Sequence, residues 1–126
     1  LIALIVDDDM YNRELLSRMV ARLGWLADTA ENGSQAIAAC KAARYDVVLL
    51  DLNMPDMNGQ VVAEAIRGIS DPIDPTVGAV AIRPVRIIVV TGADISRLAN
   101  VPLFDGALPK PFVFAELKKI LDKMMA

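Results

Sequence analysis

The chain reads as one α/β domain built on a doubly wound parallel sheet, and three observations carry that expectation. Short apolar runs recur at residues 1–6 and 47–50, and at 85–90 with Arg86 as the one charged residue, the mark of strands buried on both faces. Stretches with apolar residues at helical spacing alternate with them, and such alternation implies right-handed crossovers that lay helices on both faces of a sheet of about five parallel strands. The length, 126 residues, suits a single domain spanning 1–126 and is enough to bury roughly two thirds of the unfolded surface.

Taken in order, residues 1–6 form the first strand and run straight into Asp7, Asp8 and Asp9. Leu15, Leu16, Met19, Val20 and Leu23 then share one helical face, and the helix ends near Gly24. Residues 25–30 make a weaker second strand, and residues 33–44 an alanine-rich helix with Ala36, Ile37 and Cys40 on one side. In the third strand, residues 46–50, no polar side chain interrupts Val47, Val48, Leu49 and Leu50, so Asp51 emerges at the carboxyl edge of the sheet. That edge is where open α/β folds bind ligands. After a loop holding Pro55 and Asn58-Gly59, Val61, Val62, Ala65, Ile66 and Ile69 mark the inner face of a third helix. Residues 85–90 form the fourth strand, ending at Thr91, and residues 94–100 a short fourth helix stopped before Pro102. A short fifth strand, 106–108, leads to Pro109-Lys110-Pro111, and residues 112–125 form the last helix with Phe114, Leu117, Ile120, Leu121 and Met124 facing inward.

Composition narrows the function classes. Acidic residues number 16 against 13 basic, for a net charge of −3, and Lys and Arg are scattered, which argues against direct nucleic-acid binding. The lone Cys40 cannot form an internal disulfide and sits among small helix formers, a reduced packing residue. Apolar runs stay far below the ~20 residues of a membrane span, and no basic amino-terminal region leads to a cleavage site, so a cytoplasmic domain without membrane contact is expected. Leu1 opens directly into a strand without a methionine, as in a domain cut from a longer protein.

Parallel strands bring Asp7, Asp8, Asp51, Thr91 and Lys110 to one edge. Alone, Asp51 would read as a strand cap, Thr91 as an ordinary β-branched strand residue and Lys110 as a solvated lysine. As a set they make a chemical site. Clustered carboxylates repel and take up protons unless a cation holds them, and a hard ion such as Mg²⁺ suits two or three carboxylates plus a backbone carbonyl. Beside such an ion Asp51 can act as a nucleophile toward phosphorus, with Lys110 as a point charge and Thr91 as a hydroxyl donor.

These residues resemble the receiver domains of two-component response regulators and hybrid sensor kinases. The motifs are IVDDD followed by Arg13 and a helix, LLDLNMPDMNG around Asp51, VVTGA at Thr91 and LPKPF at Lys110, and together they span nearly the whole chain. The resemblance implies the flavodoxin-like strand order 2-1-3-4-5. It implies that Asp51 is the phosphoacceptor, that Asp8 binds Mg²⁺ directly and Asp7 largely through water, and that Asn53 contributes its backbone carbonyl. Thr91 would contact the phosphoryl group and Lys110 pair with it. Such a domain catalyses its own phosphorylation and dephosphorylation in a phosphorelay. Its partners would be a sensor histidine kinase or a histidine-containing phosphotransfer protein, and with no His of its own it cannot be the phosphohistidine donor. Asp9 falls outside the metal pair and starts the first helix.

Three features depart from the family. The proline-bearing stretch 70–84 is longer than the usual connection and, with its prolines and Gly78, is expected to be mobile and to resist regular structure. The short span from Thr91 to Lys110 requires a truncated or irregular fourth helix, and Ala107 stands where relatives commonly carry an aromatic switch. A receiver without that relay is expected to serve as a phosphoryl station, docking its partner beside the first helix through Met10, Tyr11 and Leu15. Two other readings remain open on the residues alone: a degenerate receiver that only binds a partner, and a haloacid dehalogenase-like phosphohydrolase using Asp7 and Asp9.

Overall fold

The structure, a computed structural model, describes residues 1–54, 58–70, 73–74, 79–80, 85–92 and 104–125. Five parallel strands form the main sheet: β1 (Ile2–Val6), β2 (Leu26–Ala30), β3 (Val47–Asp51), β6 (Arg86–Thr91) and β7 (Gly106–Pro109). Four helices accompany them: α1 (Met10–Arg22), α2 (Gly33–Ala42), α3 (Gly59–Ser70) and α4 (Phe114–Met125). The strand order is β2-β1-β3-β6-β7. That is the 2-1-3-4-5 order expected, once a small extra pair, β4 (Ile73–Asp74) and β5 (Ala79–Val80), is set apart.

Alternation along the strands divides the core in two. Leu4, Val6, Val48, Leu50 and Ile87 face one side, where they meet Ala36 and Cys40 of α2 and Val62, Ala63 and Ile66 of α3. Ala3, Ile5, Val47, Leu49, Ile88 and Val90 face the other, against Leu16 and Val20 of α1 and Leu117 and Leu121 of α4. With helices on both faces, the central positions of β1, β3 and β6 are apolar on both sides, which is why they read as runs, and the polar residues of β3 and β6 stand at the strand ends. β2 lies at the sheet's edge and buries only Ala30 fully, which explains its weak signal.

Capping residues set the helix starts. The Asp9 carboxylate accepts from Tyr11 N at 2.8 Å and the Asn32 side chain accepts from Gln35 N at 2.8 Å, each satisfying an amide that the first turn leaves free. α1 is closed by Gly24, whose φ of +84° lies in the left-handed region that glycine tolerates. Arg22 stacks on Phe114, 4.2 Å from the ring centroid, and ties the end of α1 to the start of α4.

Two expectations need correction. In α3 the buried stripe is Val62, Ala63 and Ile66, while Val61 is 56 % exposed. Helical period locates a stripe but not its edges, and a valine flanking the stripe carries the same apolar signal as one inside it. Within 70–84, regular structure does form: Ile73 pairs with Val80 and Asp74 with Ala79 in an antiparallel ladder. The expected short helix at 94–100 lies outside the described residues.

Candidate functional site

Register assembles the site. Val6 is the partner of Leu50, so the next residues of β1 and β3, Asp7 and Asp51, stand side by side at the carboxyl edge. Asp51 is in turn opposite Val90, with Thr91 one residue beyond, and Thr91 is opposite Pro109, with Lys110 next. The Lys110 amide donates to Thr91 O at 3.0 Å, which extends the β7 pairing to the lysine itself.

Asp7, Asp51 and Thr91 are the buried polar and charged residues among those described. Carboxylate oxygens of Asp7, Asp8 and Asp51 all lie within 4.8 Å of one another. Lys110 Nζ stands 3.2 Å from Asp51 Oδ1, and the Asn53 amide donates to that same oxygen at 2.9 Å. Asp8 is exposed and Asp7 buried, so the cluster has one open side. Asp9 takes no part in it; its carboxylate caps α1, as expected.

Asp7 is held tightly. Its amide donates to Ala30 O at 3.1 Å, its carbonyl accepts from Arg13 NH1 at 2.8 Å, and its Oδ1 accepts from Asp9 N at 2.9 Å. The remaining oxygen, Oδ2, is buried and has no hydrogen-bond partner among the described residues. Burial above all, then the charge of Asp51, raises the Asp7 carboxyl from 3.8 to about 6, against the lowering pull of the Asp9 amide and Lys110. In the protonated form Asp7 can share its hydrogen with Asp51; in the ionised form Oδ2 is a buried charge without a donor. A hard cation resolves that conflict, and three clustered carboxylates are donors it accepts, so the residues present fit a divalent ion such as Mg²⁺.

All the residues expected at the site thus sit at one edge. Asp7, Asp8, Asp51 and Lys110 meet in one cluster, Asn53 contacts it through its amide, and Thr91 lies buried at the adjoining strand end. Arg13, named in the sequence only as part of the first motif, reaches the Asp7 carbonyl; its sequence signal is an arginine in the first turn of a helix that follows the acidic run.

The model of the response regulator receiver domain family matches residues 3–122. Over 125 residues, covering 95 % of this chain and 50 % of the relative, the chain is 36 % identical to a transcriptional regulatory protein, a CpxR homolog, of Haemophilus influenzae. It is 32 % identical to the sensor histidine kinase AtsR of Burkholderia thailandensis, covering 97 % of this chain and 19 % of that protein. Among solved structures, the response regulator TrrA of Thermotoga maritima, in complex with Mg²⁺-BeF, superposes with a TM-score of 0.79 at 33 % identity, over 98 % of this chain and 97 % of that one. The chain spans half or less of the length of these two sequence relatives. A matching family model over nearly the full length, on a sheet of the expected order with the acidic cluster at its carboxyl edge, places this chain in the response regulator receiver domain family of two-component signalling systems.

Proposed function

We propose that residues 1–126 form a receiver domain in which Asp51 accepts a phosphoryl group from a phosphohistidine, in a Mg²⁺-dependent reaction. The observation that carries this reading is the meeting of Asp7, Asp8, Asp51 and Lys110 at the carboxyl edge of the sheet. Lys110 Nζ and Asn53 N both donate to Asp51 Oδ1 and hold the carboxylate in one orientation, with Oδ2 as the atom that attacks phosphorus. An O–P bond forms as the P–N bond to the donor imidazole breaks, and the imidazole leaves with the electron pair. Lys110 offers its charge, and Thr91 its hydroxyl, to the phosphoryl oxygens. Asp7, Asp8, Asp51 and the Asn53 carbonyl would hold the ion, which supplies positive charge where the phosphoryl group carries its negative charge.

The donor on this reading is a sensor histidine kinase or a histidine-containing phosphotransfer protein, and the setting is cytoplasmic. No helix among the described residues is long and apolar enough to cross a membrane. Met10 and Tyr11, 71 % and 70 % exposed in the first turn of α1, offer that partner an apolar contact beside the acidic cluster, with Leu15 half-buried behind them. To test the assignment, the chain is incubated with acetyl phosphate and Mg²⁺, and the product is examined by intact mass and peptide mapping. One phosphoryl group on the Asp51 peptide, absent in Asp51→Asn, is the expected result. Label on the peptide carrying Asp7 and Asp9 would overturn it in favour of a phosphohydrolase.

A further inference from the structure

We propose that Arg13 is a positioning residue, fixing the peptide that joins Asp7 to Asp8 and thereby setting how tightly the acidic cluster holds a divalent ion. The inference rests on the metal-dependent reading above and goes beyond it, to a residue outside the cluster.

Arg13 sits in the first turn of α1, its amide bonded to Asp9 O at 3.0 Å. Helical side chains lean toward the amino end, so the guanidinium is carried back over the acidic turn. There NH1 donates to Asp7 O at 2.8 Å, and NH2 lies 3.7 Å from Glu31 Oε1 at the end of β2. The Arg13 side chain is 13 % exposed, so this is not a solvated arginine that brushes a carbonyl in passing. Asp7 is thus fixed at its amide by Ala30, at its carbonyl by Arg13 and at Oδ1 by Asp9, while its Oδ2 is buried without a hydrogen-bond partner among the described residues. Since the Asp7 carbonyl belongs to the peptide leading into Asp8, its orientation governs where both carboxylates point. Arg13 therefore acts through geometry, by presenting a planar fork to a carbonyl and a carboxylate together.

The test compares the wild-type chain with Arg13→Met, Arg13→Lys and Glu31→Gln. Mg²⁺ affinity is measured by calorimetric titration and by the Mg²⁺-dependent rise in melting temperature. Groups that orient metal ligands typically change affinity 10–100-fold, so Arg13→Met is expected to weaken Mg²⁺ by about tenfold or more. Arg13→Lys, which keeps the charge but lacks the fork, falls between wild type and Arg13→Met, and Glu31→Gln shows the smallest loss. With acetyl phosphate, the half-saturating Mg²⁺ concentration rises by more than the maximal rate falls. Should Arg13→Met fail to fold, Arg13→Lys, with its aliphatic stem intact, carries the same comparison. Lower melting temperatures in chelator with unchanged Mg²⁺ affinity would make Arg13 merely structural and overturn the inference alone. A wild-type chain that does not bind Mg²⁺ would overturn this inference and the metal-dependent reading together.

Discussion

Replacing Asp7 with Asn should stabilise the metal-free protein while destroying its response to Mg²⁺. Burial and the neighbouring Asp51 raise the Asp7 carboxyl from 3.8 to about 6, so the folded chain holds a proton that the unfolded chain has already released. The sign follows directly. Below about 4 both states are protonated and the group is neutral to folding; between about 4 and 6 stability falls as pH rises; above 6 both states are ionised and the full penalty stands. Two pKa units correspond to about 3 kcal/mol. That net shift already includes the lowering pull of Lys110, so a gain of up to about 3 kcal/mol at neutral pH is expected for Asp7→Asn. The replacement can keep the bond from Asp9 N through its amide oxygen, and it sets N–H donors where Oδ2 has no partner. Urea unfolding in chelator across pH 4 to 8 measures the gain, and repetition with Mg²⁺ should reverse the order, since the wild type alone is then strongly stabilised. A variant no more stable than wild type at neutral pH, or an advantage that does not shrink as the pH falls toward 4, would refute the reasoning.

Removing Mg²⁺ should stop phosphorylation by acetyl phosphate, and Asp8→Ala should weaken metal binding far more than Asp9→Ala, whose carboxylate caps a helix; equal losses in a titration would show that the metal pair has been wrongly chosen. Asp9→Ala should instead cost about 1 kcal/mol of stability, read by urea unfolding, as expected for a lost N-cap. Asp105 accepts from Arg67 at 2.7 Å and from Ile87 N at 2.8 Å, so Asp105→Ala should destabilise by roughly 2 kcal/mol, and a loss under about 0.5 kcal/mol would mean solvent replaces both bonds. Tyr11→Ala should slow transfer from a phosphohistidine partner while leaving labelling by acetyl phosphate intact; equal transfer rates would remove α1 from the docking surface.

What could be read from sequence and what could not divides along physical lines. β1, β3 and β6 were legible because a strand covered on both faces is apolar through its middle, and the acidic cluster was legible because the runs of β1 and β3 lead straight into carboxylates. Parallel direction then placed the ends together without any knowledge of contacts. That Asp7 is the immediate neighbour of Asp51 depends on the register Val6 to Leu50, which alternation cannot supply when every position is apolar. Apart from the Asp9 cap of α1, interactions made by backbone groups left little trace in the sequence. Arg13 reaches a carbonyl, and Asp105 clamps an amide of β6 together with an arginine of α3; neither contact depends on a side-chain pattern, so neither acidic nor basic character at those positions announced it. The same reasoning explains why Asp7 stands apart from Asp8 and Asp9 although the three are identical in type. Asp9 is drawn to the free amides of α1 and Asp8 remains exposed, whereas Asp7, one residue past a fully buried strand, keeps its carboxylate under the edge of the sheet. Burial there costs stability in the metal-free protein and has no structural return among the described bonds of Oδ2, so it is best understood as the cost of a site shaped for a cation.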